Sequence, residues 1–325
     1  MNGSKKLLIL YILKVLKSYS DVDHRLKQDD IIRLIKDNYG MDCERKAIAR
    51  NITALRDFDY DIEYNNGYYL LGREFDDSEL RLLIDGVLAS RHIPASRAKE
   101  LIGKLTGLSN IYFKKRMRHV CNISQMIHSE NQTLFYVIDI FDEAIEKNRQ
   151  VKFFYNHYGI DKKLHHIHEF KATVNPYQMV VANGRYYLIG NNDKFDNVVH
   201  WRLDLITDIE PLDTPSKPME KVKGLEHGLD LPRHLAEHIY MFSGESARVK
   251  MRVKASAVHD VIDWFGTDVS ITPEDEDTCI VRLKANEHAM LYWTLQFGKY
   301  VEILEPEELK NEIKKSIMEM KDLYN

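Results

Sequence analysis

The stretch VNPYQMVVANGRYYLIG, residues 174–190, decides how the middle of this chain folds. Asn183-Gly184 is a two-residue turn signal, because both residue types accept the left-handed backbone that a tight hairpin needs. Short runs rich in Val, Tyr, Met and Ile flank it, and these residues suit a pleated, half-buried surface. After the turn, period-two alternation sends Tyr186 and Leu188 to one face and Arg185, Tyr187 and Ile189 to the other. One tyrosine is left for the core, and the other for a ligand or a partner.

Further strand candidates surround this hairpin. They are VKFFYNHY (151–158), EFKATVNP (169–176), YQMVVA (177–182), RYYLIG (185–190) and VVHWRLD (198–204). An amphipathic helix over 133–147 precedes them, and no helical pattern interrupts them. Short strands divided by turn signals predict a small barrel. In VVHWRLD, His200 and Arg202 share one face, while Trp201 and Leu203 share the other and supply apolar surface.

Upstream, residues 5–19 and 28–39 repeat Leu, Ile and Val at helical spacing, and Gly40 stops the second run. In ERKAIARNITALRDF, 44–58, a stripe of Ala47, Ile48, Ile52, Leu55 and Phe58 predicts a third helix, with Arg45, Lys46, Arg50 and Arg56 off the stripe. DIEYNNGYYLL, 61–71, predicts a hairpin about Asn-Gly. Three helices closed by a hairpin is the order of a winged helix-turn-helix, whose second helix of the pair enters the major groove of double-stranded DNA. Arg45, Lys46 and Arg50 are the contact candidates at the start of that helix, and Arg56 is placed to reach backbone phosphate. Residues 76–130 are helical in pattern, with Asp76 or Ser78 as a cap. Within 91–120 stand eight Lys/Arg against Glu100, either a phosphate-touching face or a solvated one.

Downstream, DTPSKPMEKVKG (213–224) has the prolines of a linker. ARVKMRVKA then alternates strictly, with Val249, Met251 and Val253 on one face and Lys250, Arg252 and Lys254 on the other. A helix (256–265), strands near 268–272 and 278–284, a helix (286–297), a strand (300–304) and a last helix from Pro306 follow. That βαββαβ order predicts a ferredoxin-like domain with an added helix. The whole is an α+β multidomain chain: winged helix-turn-helix 1–74, helical connector 75–130, small Sm/SH3-like β-barrel 131–213, linker 214–246 and ferredoxin-like extension 247–325.

Composition agrees with a folded chain: 325 residues, 44% of them apolar, with no apolar run long enough to span a membrane. Cys43, Cys121 and Cys279 lie far apart, which forms neither a disulfide framework nor a metal knuckle and suits a reducing cytoplasm. The net charge of −4 hides a gradient. Residues 1–130 carry 22 Lys/Arg against 18 Asp/Glu, while residues 214–325 carry 15 against 20, so a polyanion is expected at the N-terminal end.

With these residues in hand, the chain resembles the WYL-domain transcriptional regulators of bacteria over nearly its whole length. ERKAIARNITALRDFDYDIE, VNPYQMVVANGRYYLIG and HWRLDLITDIEPL carry the resemblance. The family's Trp-Tyr-Leu triplet stands here as Tyr186-Tyr187-Leu188, and its Arg-Leu-Asp-Arg pattern as Arg202-Leu203-Asp204-Leu205. The resemblance implies a DNA-binding regulator whose barrel senses an effector through basic and aromatic residues. Arg202 is the leading candidate, because a guanidinium pairs bidentately with carboxylate or phosphate. His200, Tyr187, Tyr177 and Lys171 complete the set. The competing reading makes Arg202 a structural partner of Asp204 or Glu210.

A second function fits the same segments: a nucleic-acid-responsive accessory protein whose barrel stacks single strands on Tyr155, Tyr177 and Tyr187. The effector is thus an anionic small molecule or a single-stranded nucleic acid. A homodimer is expected, because one winged helix covers little DNA and paired half-sites multiply affinity. HLAEH, 234–238, matches a zinc-protease pattern, yet no third ligand is evident. Alternation puts His165 and His166, near His157 and His168, on opposite faces. No catalytic residue, metal or cofactor is expected.

Overall fold

The computed structural model describes residues 5–90, 93–117 and 133–325. Two cations counted above, Arg91 and Arg118, and the cysteine Cys121 lie outside them. The chain divides into two compact units, 1–130 and 131–325. Among the described residues no helix is long and apolar enough to cross a membrane.

The first unit begins with α1 (Leu8–Tyr19), α2 (Gln28–Tyr39) and α3 (Arg45–Asp57), followed by the hairpin β1 (Ile62–Tyr64) and β2 (Tyr68–Leu70). Ile12, Leu16, Ile31, Ile35, Ile48 and Ile52 are all but fully buried where the three apolar stripes meet. Leu26 pairs with Tyr68, so the segment before α2 adds a third short rung to the hairpin. Phe58 departs from the predicted stripe and is 77% exposed. The helix ends at Asp57, and Asp59 takes a left-handed backbone (φ 63°), so the helical spacing no longer governs where Phe58 points.

Helices α4 (Asp77–Ala89), α5 (Ala95–Thr106) and α6 (Ile111–Met117) follow. Asp76 caps α4 by accepting from the Ser78 and Glu79 N–H groups, and Glu79 reaches back to the Asp76 N–H. This reciprocal box satisfies donors that the first helical turn leaves open. Arg73 donates to the Lys17 and Ser20 carbonyls, Asn110 donates to Asp21, and Tyr112 stacks on His24. The helices after the hairpin are thereby packed onto the first three.

In the second unit, α7 (Leu134–Glu146) covers a curled antiparallel sheet of β3 (Arg149–Tyr158), β4 (Leu164–His166), β5 (Ala172–Ala182), β6 (Arg185–Asn192), β7 (Val198–Arg202) and β8 (Ile206–Pro215). The order is β4-β3-β5-β6-β7, with β8 also paired to β3. The two runs 169–176 and 177–182, read as separate strands, are one strand. Pro176 lies opposite Gly190 and Gln178 opposite Ile189, so Tyr177 is the extra residue of a bulge. A bulge reverses which residues face inward. Val174 precedes it and Met179 follows it, and both pack on the inner core with Phe141, Phe153, Leu188 and Trp201. The Asn183-Gly184 turn is left-handed at both residues (φ 52° and 70°).

The outer face of the same strands is covered too. Segment 216–245, which contains the short helix α8 (Leu231–Glu237), straps across it. Met241 packs with Val180, Tyr187 and Ile189, while Val222 and Leu225 pack with Tyr177. Each such side chain taken fully out of water contributes roughly 1.5–3 kcal/mol, so this segment is a fastened strap rather than a loose spacer.

The chain ends with β9 (Ser246–Lys254), α9 (Val258–Phe265), β10 (Ser270–Pro273), β11 (Thr278–Asn286), α10 (Glu287–Gln296), β12 (Val301–Glu305) and α11 (Glu307–Asp322). The four strands run antiparallel in the order β10-β11-β9-β12. Val249, Met251 and Val253 are buried on one face of β9. On the other, Arg252 bridges Glu274 and Glu302.

Gly190 tests this register. A Cβ there would stand 2.6 Å from the Asn175 carbonyl oxygen and 3.2 Å from Trp201 Cζ3. The carbonyl belongs to the ladder and cannot withdraw without breaking it. Gly190→Ala is expected to destabilise the second unit by about 1–3 kcal/mol, the usual cost of overpacking. Urea unfolding checks this, and an unchanged midpoint would place Gly190 elsewhere.

Candidate DNA-reading helix and effector site

Helix α3 presents two of its four cations, Arg45 and Arg56, differently from what spacing alone suggests. Arg45 Nε donates to Asp29 Oδ1 at 2.7 Å, an exposed ion pair between α3 and the start of α2. Arg56 Nε donates to the Ile62 carbonyl at 2.6 Å and ties the end of α3 to β1. Lys46 and Arg50 are exposed, and among the described residues their side chains have no ion-pair partner. Lys46 and Arg50 therefore remain available to a polyanion without first giving up a contact, and Arg45 must exchange one.

In the second unit, two guanidinium groups converge on one carboxylate. Asp204 lies just past β7, in the 3-10 turn Leu203–Leu205, and is 2% exposed. Arg202 donates from Nε to Asp204 Oδ1 (3.1 Å) and from Nη2 to Oδ2 (2.7 Å). Arg185 Nη1 donates to Oδ2 at 3.2 Å. Both arginine side chains keep about a quarter of their surface open to solvent (28%). Two cations against one anion leave a surplus positive charge at a half-buried spot. Burial works against the Arg202 charge, but the hydrogen bonds and charge of Asp204 outweigh it, so its pKa lies above the ordinary guanidinium range. The Arg202 N–H donates to the Tyr155 hydroxyl at 3.1 Å, and Tyr187 stands directly opposite Arg202 in the β6–β7 register. Burial raises the pKa of both tyrosines, while the two arginines act downward on Tyr187, so each phenol is neutral at pH 7.

Of the five residues picked from the sequence for the effector, the fold brings only Arg202 and Tyr187 together. His200 shares the Arg202 face, as alternation predicts, but that face is buried at His200 beneath the strap. Its Nε2 stands 2.8 Å from His234 Nε2, and its N–H donates to Ser243 Oγ. Burial, then the neighbouring histidines, pull His200 to about 3, and burial with His238 pulls His234 to about 4, so both are neutral at pH 7. Tyr177 donates its hydroxyl to the Lys217 carbonyl, and burial pushes its pKa up to about 12. Lys171 pairs with Glu210 and lies over the Phe154 ring. Of the three tyrosines considered for stacking single strands, Tyr177 and Tyr187 are buried beneath the strap and Tyr155 is half-buried against the inner core. The missed members of the Arg202 group are Arg185 and Tyr155. Arg185 could have been found, since alternation puts it on the face of Tyr187. The Tyr155 contact depends on curling of the sheet, which no local pattern encodes.

Comparison with known proteins adds the following. A model of the WYL domain matches residues 136–211, and a model of the WCX domain matches residues 245–321. A curated protein of Bacillus subtilis (strain 168), described as an uncharacterized HTH-type transcriptional regulator, YobV, is 33% identical over 73 residues. That match spans 22% of this chain and 23% of the relative's length. Among solved structures, proteasome accessory factor B/C (PafBC) of Arthrobacter aurescens is 18% identical, with 97% of this chain and 48% of that chain covered and a TM-score of 0.31. A CRISPR Cas-related protein is 15% identical, with 78% and 74% covered and a TM-score of 0.39.

The two-to-one charge arrangement predicts an order of stabilities. Arg202→Ala leaves Asp204 with Arg185 and removes charge-assisted hydrogen bonds, a loss of about 1–2 kcal/mol. Asp204→Asn leaves two half-buried guanidinium groups facing each other without a carboxylate. That loss is larger, about 2–4 kcal/mol once partial solvent access is allowed for. Thermal unfolding of the two variants side by side checks the order, and an Asp204→Asn protein more stable than Arg202→Ala would contradict it.

Proposed function

We propose that this WYL-domain protein, which carries a WCX domain behind the WYL domain, is a DNA-binding transcriptional regulator whose two-arginine site holds an anionic effector. The first unit reads as a winged helix-turn-helix: α2 and α3 form the pair, β1 and β2 form the wing, and α3 enters the major groove. Supporting this, Lys46 and Arg50 on the leading half of α3 are exposed and, among the described residues, have no ion-pair partner. The curled sheet with α7 reads as the small Sm/SH3-like barrel. The strand order β10-β11-β9-β12 with two crossover helices reads as ferredoxin-like.

The observation that carries the effector reading is the pair Arg185 and Arg202 on the single carboxylate of Asp204. An anion bound there takes up the surplus charge and competes with Asp204 for the guanidinium forks, which suit carboxylate or phosphate. It thereby gains differential affinity for a state in which the end of β7 has moved, and only such a difference can shift an equilibrium. Arg202 is also tied to Tyr155 on β3, so its displacement is felt across the sheet.

On this reading the intact protein binds duplex DNA with affinity that falls by orders of magnitude between about 50 and 200 mM salt. Lys46→Ala and Arg50→Ala each cost about 1–3 kcal/mol where a base edge is read. Arg56→Ala acts chiefly on stability, because its guanidinium serves Ile62. Fluorescence anisotropy on DNA fragments selected from a random pool checks this, and a double variant at Lys46 and Arg50 that selects the same fragments with wild-type affinity rejects α3 as the reader. The regulator is also expected to act as a homodimer on paired half-sites. Light scattering that gives a monomer mass at micromolar concentration, both free and on DNA, counts against that.

A further inference from the structure

The motif HLAEH acquires in three dimensions the third histidine that it lacks in sequence. His234 and His238 stand one turn apart at α8, and β7 places His200 against both. The ring centroids are 5.1 Å (His200–His234), 4.9 Å (His200–His238) and 4.4 Å (His234–His238) apart. A metal–nitrogen bond of about 2.0–2.1 Å at tetrahedral angles puts ligating imidazole centroids about 5 Å apart. The two pairs that include His200 stand at that spacing and the His234–His238 pair is closer, so as they stand these side chains form no metal-holding set among the described residues, and binding requires the rings to shift.

The hydrogen bonds point the same way. His238 Nδ1 lies 3.0 Å from the Phe242 carbonyl. A carbonyl only accepts, so Nδ1 carries the proton and Nε2 carries a lone pair. A ring nitrogen that donates to a backbone carbonyl is the usual outer support of a metal-bound histidine, because it fixes both tautomer and ring orientation. His200 and His234 meet Nε2 to Nε2 at 2.8 Å. One must donate and the other accept. His200 is 8% exposed, and among the described residues its buried Nδ1 makes no well-directed hydrogen bond, the Phe242 carbonyl acting on the ring only from poorer geometry. A neutral imidazole with one nitrogen unsatisfied is held at a cost in free energy. His234, Glu237 and His238 line a polar cavity of about 510 Å³ together with Ser246 and Lys284. Glu237 is already paired with Arg233 and Lys284 and is not a free ligand.

We propose that His200, His234 and His238 bind a divalent transition-metal ion of the zinc class through ring nitrogens, with solvent from the cavity in the fourth position. As hydrogen-bonded to each other, His200 and His234 stand too close to share an ion. The ion replaces that hydrogen bond, and the two nitrogens separate from 2.8 Å to about 3.3 Å, the edge of a tetrahedron with such bonds. The bound ion pins α8 to the strand that carries Arg202. The role is structural: Glu237, the position that serves as the base in a zinc protease, is occupied by two cations.

Full-length protein stripped with chelator and dialysed is titrated with Co²⁺, and then with Zn²⁺ in competition with a chromophoric chelator. One equivalent of Co²⁺ per chain is expected, with the intense visible bands of a four-coordinate site, displaced by Zn²⁺. Loss of an outer support alone weakens metal binding about 10–100-fold, so His234→Gln and His238→Ala should each weaken it at least about 100-fold. His234→Gln retains an amide to hydrogen-bond His200. Its melting temperature in chelator should therefore match wild type, while its rise in melting temperature on adding Zn²⁺ disappears. His165→Ala, in the exposed group on β4, should bind as wild type does. Absence of a stoichiometric four-coordinate Co²⁺ spectrum in the wild-type protein overturns the site, as does unchanged binding by folded His234→Gln.

Discussion

A strand with apolar residues on both faces must be covered twice, and β6 is such a strand. Leu188 belongs to the inner core with Phe153 and Trp201, while Tyr187 and Ile189 face outward. Helix α7 and the curl of the sheet enclose the first set. Nothing in the sheet itself can enclose the second, and leaving it in water would forfeit several kcal/mol. Segment 216–245 answers that need, and its path follows from it. Tyr177, extruded at the bulge of β5, meets Val222 and Leu225, and Val180 and Ile189 meet Met241. The covering of β6 thereby sets where the last four-stranded sheet begins, at β9.

The strap changes the chemistry of β7. An isolated strand would show His200 and Arg202 to solvent together. Once the outer face is covered, each must find partners inside the protein, because a buried polar group without them is costly. Arg202 finds Asp204 and keeps an edge open to solvent. His200 finds His234 on α8. Adjacent positions on one face thus acquire different work: one stands in a charged group with a surplus cation, and the other in a neutral imidazole cluster.

The first unit shows the same division between spacing and placement. Asp76 with Glu79, Gly40 and the Asn-Gly turn act through their own neighbours, so the helix boundaries and the hairpin could be read directly. Phe58 could not, because whether α3 continues for one more residue depends on how the chain reaches β1. Arg56 could not either: at helical spacing it belongs with Lys46 and Arg50, yet the Ile62 carbonyl holds it. The candidate readers of DNA are thus narrower than the run of charge along α3.

By itself the sequence determined what depends on neighbours within a few residues: three helices and a hairpin, the Asn183-Gly184 turn, the two faces of β6 and β7, and the βαββαβ order of the last domain. These follow from backbone geometry and periodicity, which act locally. Tertiary structure alone decided that 169–182 is one bulged strand, since a bulge is defined by its partner in the ladder. It alone turned the proline-bearing linker into a strap, because the partners of that segment's apolar residues, Tyr177 and Ile189, lie far away in the chain. It alone joined Arg185 to Asp204 and His200 to His234 and His238. The first two of those pairs are separated by 19 and 34 residues in the chain and the third by still more, and contacts at such distances are set by sheet curl and packing, to which no local pattern is sensitive.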